Sequence, residues 1–258
     1  MKIAITGKGG VGKTTLAGTL SILFARDGYE VIAIDADSDM NLASTLGIKN
    51  NPKPLTEYKD LIRERAGDSG GVFKLNPKVD DIVEKYGAIG VDGVKMLTMG
   101  TIEQGGSGCM CPASAFLFAF MRHVTLRDKR IIILDMEAGI EHLGRGTTRG
   151  IDLMIVIVEP GMKSIETAGR IKKHANEIGV KNIALVINKG TSFDVKSHLL
   201  NLEVPILGEI PYDLEFVNAD LNELLPVDIE SPSIEAIKEI KSNILKHMKD
   251  FKNIVKIV

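Results

Sequence analysis

Eight residues near the start of the chain are spaced for one kind of chemistry. Gly7-Lys8-Gly9-Gly10-Val11-Gly12-Lys13-Thr14 places lysine and threonine directly after a glycine-rich loop, with Thr15 next in line. Triphosphate oxygens concentrate negative charge, and glycines let successive backbone N–H groups curve around them with no Cβ in the way. In such a loop Gly9, Gly10, Val11 and Gly12 wrap the phosphates, and Lys13 reaches the β and γ phosphates. The Thr14 hydroxyl holds Mg²⁺, with Thr15 beside it. The pattern has force only if a strand delivers the loop and a helix leaves it. Lys2 to Thr6 is a short apolar run and Thr14 to Arg26 has the helical period, so nucleotide binding is expected.

Carboxylates follow two further apolar runs. Asp35-Ala36-Asp37-Ser38-Asp39 comes after Val31 to Ile34, and Asp135-Met136-Glu137-Ala138-Gly139-Ile140-Glu141 comes after Ile131 to Leu134. Acids at the C-terminal ends of adjacent parallel strands face the crevice in which a phosphate loop lies. There they orient the waters of Mg²⁺ and an attacking water, although Asp35 and Asp39 also fit plain solvated loop acids. Late in the chain Asn188-Lys189-Gly190-Thr191 ends another run. Guanine readers use Asn-Lys-x-Asp, and Thr191 offers no carboxylate. Adenine presents an N6 donor beside an N7 acceptor, which the Asn188 amide can match in both senses, so ATP is favoured over GTP.

The chain has two cysteines, Cys109 and Cys111, in Gly105-Gly106-Ser107-Gly108-Cys109-Met110-Cys111-Pro112. Pro112 suits the first position of a helix over Ala113 to Val124, which puts both thiols at a helix N-terminus, where the dipole favours the thiolate. Inert core cysteines are the plainer alternative, and the crowding glycines speak against it. Two thiolates cannot close a metal site, whereas a two-fold dimer supplies four. Four suit tetrahedral Zn²⁺, square-planar Ni²⁺ or an iron–sulfur cluster. His142 and the other four histidines stay outside the site.

The elements that must position these groups alternate along the chain. Candidate strands are Lys2 to Thr6, Val31 to Asp35, Met96 to Met99, Ile131 to Asp135, Leu153 to Val158, Ile183 to Asn188 and Ile206 to Ile210, with helices such as Thr14 to Arg26 and Ile165 to Ile178 between them. Fully apolar strands alternating with helices predict an α/β fold: a doubly wound, mostly parallel sheet with helices on both faces. At 258 residues and 28.0 kDa the chain can bury close to three quarters of its surface, enough for one domain spanning 1–258. Residues 48–94 read as a surface excursion between two strands. Ile234, Ile237, Ile240, Ile244, Met248, Phe251 and Val255 form a helical stripe that packs on the sheet, or else lies on a membrane. A net charge of −2 gives no basic surface for nucleic acid. The N-terminus lacks a signal-peptide pattern and no apolar run is long enough to span a bilayer, so a cytoplasmic protein is expected.

The sequence Lys-Gly-Gly-Val-Gly-Lys-Thr-Thr resembles the deviant phosphate loop of the MinD/ParA-like ATPases, a class that includes the nitrogenase iron protein. The resemblance implies that Lys8 crosses a homodimer interface to the phosphates held by the other subunit. It implies that Asp37 activates the attacking water, Asp135 is the Walker B aspartate, Gly139 senses the γ-phosphate through its N–H, and Pro211 lines the adenine pocket. Many relatives have proline where this chain has Glu137. With Ala-Gly-Ile-Glu-His and Cys-Met-Cys added, nearly the whole chain resembles the CooC-type nickel-insertion ATPases that mature carbon monoxide dehydrogenase. That implies nickel as cargo, a dimer promoted by ATP and metal, and a nickel enzyme as client. An ATP-gated iron–sulfur carrier and a MinD-like membrane positioning ATPase are the other readings of the same motifs.

Overall fold

The apolar runs pair into one sheet. In a computed structural model of the chain the described residues are 1–67, 79, 81–100, 112–124, 129–137, 150–190 and 194–255. Among them the strands are β1 (Lys2–Gly7), β2 (Glu30–Ala36), β3 (Ala88–Ile89), β4 (Lys95–Thr98), β5 (Arg130–Met136), β6 (Leu153–Val158), β7 (Ile183–Gly190) and β8 (Ile206–Pro211). Their order is β3-β4-β2-β5-β1-β6-β7-β8, parallel throughout except for β3 against β4. The seven expected strands are all present. β3 was not anticipated, because two residues carry no periodicity to read.

The helices are α1 (Lys13–Arg26), α2 (Leu42–Thr45), α3 (Lys59–Ala66), α4 (Ile82–Tyr86), α5 (Pro112–His123), α6 (Met162–Glu177), α7 (Val195–Leu199), α8 (Leu214–Leu221) and α9 (Pro232–Val255). Alternation along each strand sends side chains to two cores. Ile3 and Ile5 of β1 and Val31 and Ala33 of β2 join Leu16 and Leu20 of α1 and the α9 stripe on one face. Ala4, Ile32 and Ile34 join α3, α5 and α6 on the other. Truncating a wholly buried residue such as Ile5 to alanine costs about 2–5 kcal/mol in cores of this kind.

Parts of the segment 48–94 pack on the sheet. Leu55, Leu61, Ile62, Ala66, Val79 and Ile82 are buried in the same core as Phe116 and Phe120 of α5, so much of it covers the sheet instead of standing off it. The charged residues of α3 mask a short apolar edge that only the packed neighbour reveals. In α9, Ile234, Ile237, Ile240, Ile244 and Met248 are buried, as expected of a helix packed on the sheet. A Cβ at Gly208 would stand 2.5 Å from the Cγ1 of Ile240, so β8 and α9 approach as closely as only glycine permits. No helix among the described residues is long and apolar enough to cross a membrane.

Candidate functional site

The C-terminal ends of β1, β2 and β5 lie side by side at one end of the sheet because those three parallel strands are neighbours. This is the crevice outside the carboxyl ends of parallel strands, where ligands of such folds bind. Gly12 caps α1 in the left-handed region (φ 92°) with no side chain bonded to the first-turn N–H groups, which leaves the helix N-terminus open to an anion. A Cβ on Gly12 would stand 2.4 Å from the Asn188 amide nitrogen, so sterics and φ both demand glycine here.

The end of β7 braces this loop from the side. Asn188 Nδ2 donates to the Val11 carbonyl at 2.7 Å, and Lys189 Nζ donates to the Gly10 carbonyl at 2.9 Å. A trans peptide sets its N–H opposite its C=O, so the bond from Asn188 turns the Gly12 N–H away from β7. Asn188 Oδ1 accepts from the Lys189 N–H at 2.8 Å. One donor and one acceptor of the amide expected to read adenine are therefore already used within the protein, and one of each remains.

Lys13 Nζ lies 3.4 Å from Asp37 Oδ2, with both side chains about nine-tenths buried. Asp37 is fixed through its backbone: its N–H donates to Asp35 Oδ1 at 3.1 Å, and Asp35 Oδ2 accepts from the Leu42 N–H at 3.0 Å. Asp35 thus anchors the loop; the alternative of a solvated acid fits the exposed Asp39, not Asp35. Asp35 and Asp135 are in register on neighbouring strands, and Asp135 is also in register with Ile5. All three therefore point to the face that α1 covers. Burial, with the Asp37 charge adding to it against two backbone hydrogen bonds, pushes Asp35 up to about 6. Burial pushes Asp135 up to about 7, opposed by the Thr14 hydroxyl and Lys13 and aided by the Asp35 and Asp37 charges.

Neither oxygen of the wholly buried Asp135 has a well-formed hydrogen bond among the described residues. A buried acid in that state fits a cation-bound role. Mg²⁺ is a cation held mainly by phosphate oxygens and water. Thr14 and Asp135, with Asp35 and Asp37 acting through water, are the residues that would hold it.

Lys8 Nζ lies 3.4 Å from Glu159 Oε1, and Lys189 Nζ lies 3.2 Å from Glu159 Oε2. Glu159, which the sequence reading passed over, therefore joins the second lysine of the loop to the brace. It ends the apolar run Leu153 to Val158, and the strand-end rule that singled out Asp35 and Asp135 would have found it. A cavity of about 920 Å³ opens from Gly12 and Thr15 past Asn188 and Pro211 to Phe216 and Ile237. That volume is at the upper end for a small-ligand site. Cys109, Cys111, Gly139, His142 and Thr191 lie outside the described residues.

Geometry of this kind belongs to the phosphate-loop NTPases, and the chain is one of them. It belongs to the CobQ/CobB/MinD/ParA nucleotide-binding domain family, whose profile matches residues 2–227. The ATP-binding protein MJ0823 of Methanocaldococcus jannaschii, itself uncharacterized, is 44% identical over 256 residues, covering 95% of this chain and 98% of that protein. The carbon monoxide dehydrogenase accessory protein CooC of Rhodospirillum rubrum is 42% identical over 229 residues, covering 85% of this chain and 87% of that protein. The MinD cell division protein of Aquifex aeolicus has the same fold, with a TM-score of 0.72 at 22% identity, covering 95% of this chain and 97% of that one. The chain is accordingly a P-loop ATPase of the CooC/MinD family.

Proposed function

We propose that this protein is an ATP-dependent metallochaperone that binds nickel through Cys109 and Cys111 of two subunits and delivers it to a nickel enzyme, carbon monoxide dehydrogenase. The observation that carries the reading is the 42% identity to an accessory protein of that enzyme over 85% of the chain, together with the Cys-Met-Cys motif. Four thiolates exist only when two copies meet, so metal and ATP both favour the dimer and strengthen each other's binding.

In the hydrolytic step, water attacks the γ-phosphorus as the bond to the β–γ bridging oxygen breaks, giving ADP and phosphate. Asp37 accepts the water's proton. Lys13 and the loop N–H groups neutralise charge on the phosphates, and the Gly139 N–H senses the γ-phosphate. Lys8 reaches the phosphates of the other subunit. Bound Mg²⁺ would neutralise the β and γ oxygens. ATP is the preferred nucleotide, with Asn188 and Pro211 on the base side. Zn²⁺ competes for the same thiolates.

Equilibrium dialysis with Ni²⁺ tests the reading. Wild-type protein should take up about one nickel per dimer, more tightly with non-hydrolysable ATP, and Cys109→Ser and Cys111→Ser should each lose tight binding. Tight nickel binding by the double serine variant, or nickel affinity indifferent to nucleotide, would overturn it. Visible absorption from a cluster on the protein as isolated would give the thiols to iron and sulfide instead.

A further inference from the structure

The Glu137 carboxylate takes no part in the chemistry described so far. Its backbone carbonyl accepts from the buried Thr6 hydroxyl at 2.8 Å, which pins the residue to β1 immediately before the phosphate loop. Its Oε1 accepts from the Ser38 hydroxyl and, at 3.4 Å, from the Ser38 N–H. Ser38 directly follows Asp37, and the Asp37 N–H is already held by Asp35. Asp37 is therefore fixed from behind by β2 and from ahead by the loop of β5. The segments that follow β2 and β5 are tied to each other by one side chain.

We infer that Glu137 is a positioning residue for hydrolysis: its carboxylate holds Ser38 and thereby sets where the Asp37 carboxylate meets the attacking water. The inference rests on the reading in which Asp37 takes that water's proton. A hydrogen bond to a charged acceptor is among the stronger ones available, and misplacing a reacting group by an ångström has a large cost in rate. Ser38 is exposed and Glu137 only partly buried, so the contact contributes little to packing. Its loss should show in turnover and not in folding.

The test is steady-state ATP hydrolysis by Ser38→Ala, Glu137→Ala, Glu137→Gln and the double variant Ser38→Ala/Glu137→Ala, with thermal unfolding measured alongside. Glu137→Ala should lose about tenfold or more in kcat with KM for ATP within about twofold of wild type. Glu137→Gln keeps an oxygen that accepts from Ser38 and should recover most of the rate. The double variant should be no slower than Glu137→Ala alone, because both changes break one link. Wild-type kcat in Glu137→Ala, or losses that multiply in the double variant, would overturn the inference. Asp37→Ala separates the two readings. If it hydrolyses ATP normally the role of Asp37 fails, whereas if it is inactive and Glu137→Ala is normal only the positioning role fails.

Discussion

Lys13 and Asp37 are paired with each other, Nζ to Oδ2 at 3.4 Å, in a site that excludes most water. The cation proposed to meet the phosphates and the carboxylate proposed to act on water neutralise one another in this arrangement. In the proposed mechanism, binding exchanges partners: phosphate takes Lys13, and Asp37 is released toward the γ-phosphate. The exchange links occupancy of the site to the readiness of its base.

Breaking that pair from either side leaves a buried charge alone. Lys13→Ala should abolish ATP binding and lower stability by about 3 kcal/mol, and adding Asp37→Ala should restore most of the stability but none of the binding. Asp37→Ala by itself should stop hydrolysis while binding ATP at least as tightly as wild type. Denaturant unfolding and nucleotide titration measure both effects. Additive stability losses in the double variant would mean that the pair is not coupled.

Asn188 braces the phosphate loop, apart from the part proposed for it at the base. Asn188→Ala removes the 2.7 Å bond to the Val11 carbonyl, so affinity should fall about tenfold for ADP and for inorganic triphosphate alike. A loss seen with ADP but absent with triphosphate would make Asn188 a base reader only.

Glu159 holds Lys8 within its own subunit. Lys8→Ala should leave nucleotide binding by the single subunit near normal and weaken ATP-dependent association, because the phosphate contact proposed for it lies across the interface alone. Glu159→Gln frees Lys8 and should strengthen association about threefold, the scale of a half-exposed ion pair. Sedimentation at saturating non-hydrolysable ATP reads both. A full-strength dimer from Lys8→Ala would return Lys8 to an ordinary surface role.

Asp35 and Asp135 give stability a pH dependence of definite sign. Both titrate above the ordinary 3.8, near 6 and 7, so between about pH 4 and 7 the folded chain holds more protons than the unfolded one. Without metal or nucleotide, the contribution of these two groups to stability falls as pH rises through that window and is level above it. Asp135→Asn should flatten the profile from about pH 4 to 7 in chelator-treated protein. A variant profile parallel to wild type would show that Asp135 ionises normally.

Strand and loop assignments were legible because they are local. Ile3 to Ile5 before Gly7 and Leu16 to Leu23 after Thr14 announce a strand, a loop and a helix within about two dozen residues. What joins the loop to its surroundings is not local. Glu159 is 151 residues from Lys8, and Ser38 is 99 from Glu137, and no periodicity encodes such pairings. The strand-end position of Glu159 was readable, but its partner needed the strand order that sets β6 beside β1. The same holds for residues 48–94, where the burial of Leu61 and Ile62 depends on Phe116 and Phe120 of a distant helix.

The central place of β1 has a consequence for how the protein is made. Residues 2–7 are made well before their hydrogen-bonding partners, which are Lys2↔Ile132 to Ile5↔Asp135 on one side and Ile3↔Leu153 to Gly7↔Ile157 on the other. The braces at Asn188 and Lys189 follow later still. Until β5 and β6 are made, the nascent chain carries the complete phosphate signature without the two strands that flank β1. A nucleotide that binds the finished site would therefore favour the complete sheet and not the early intermediates.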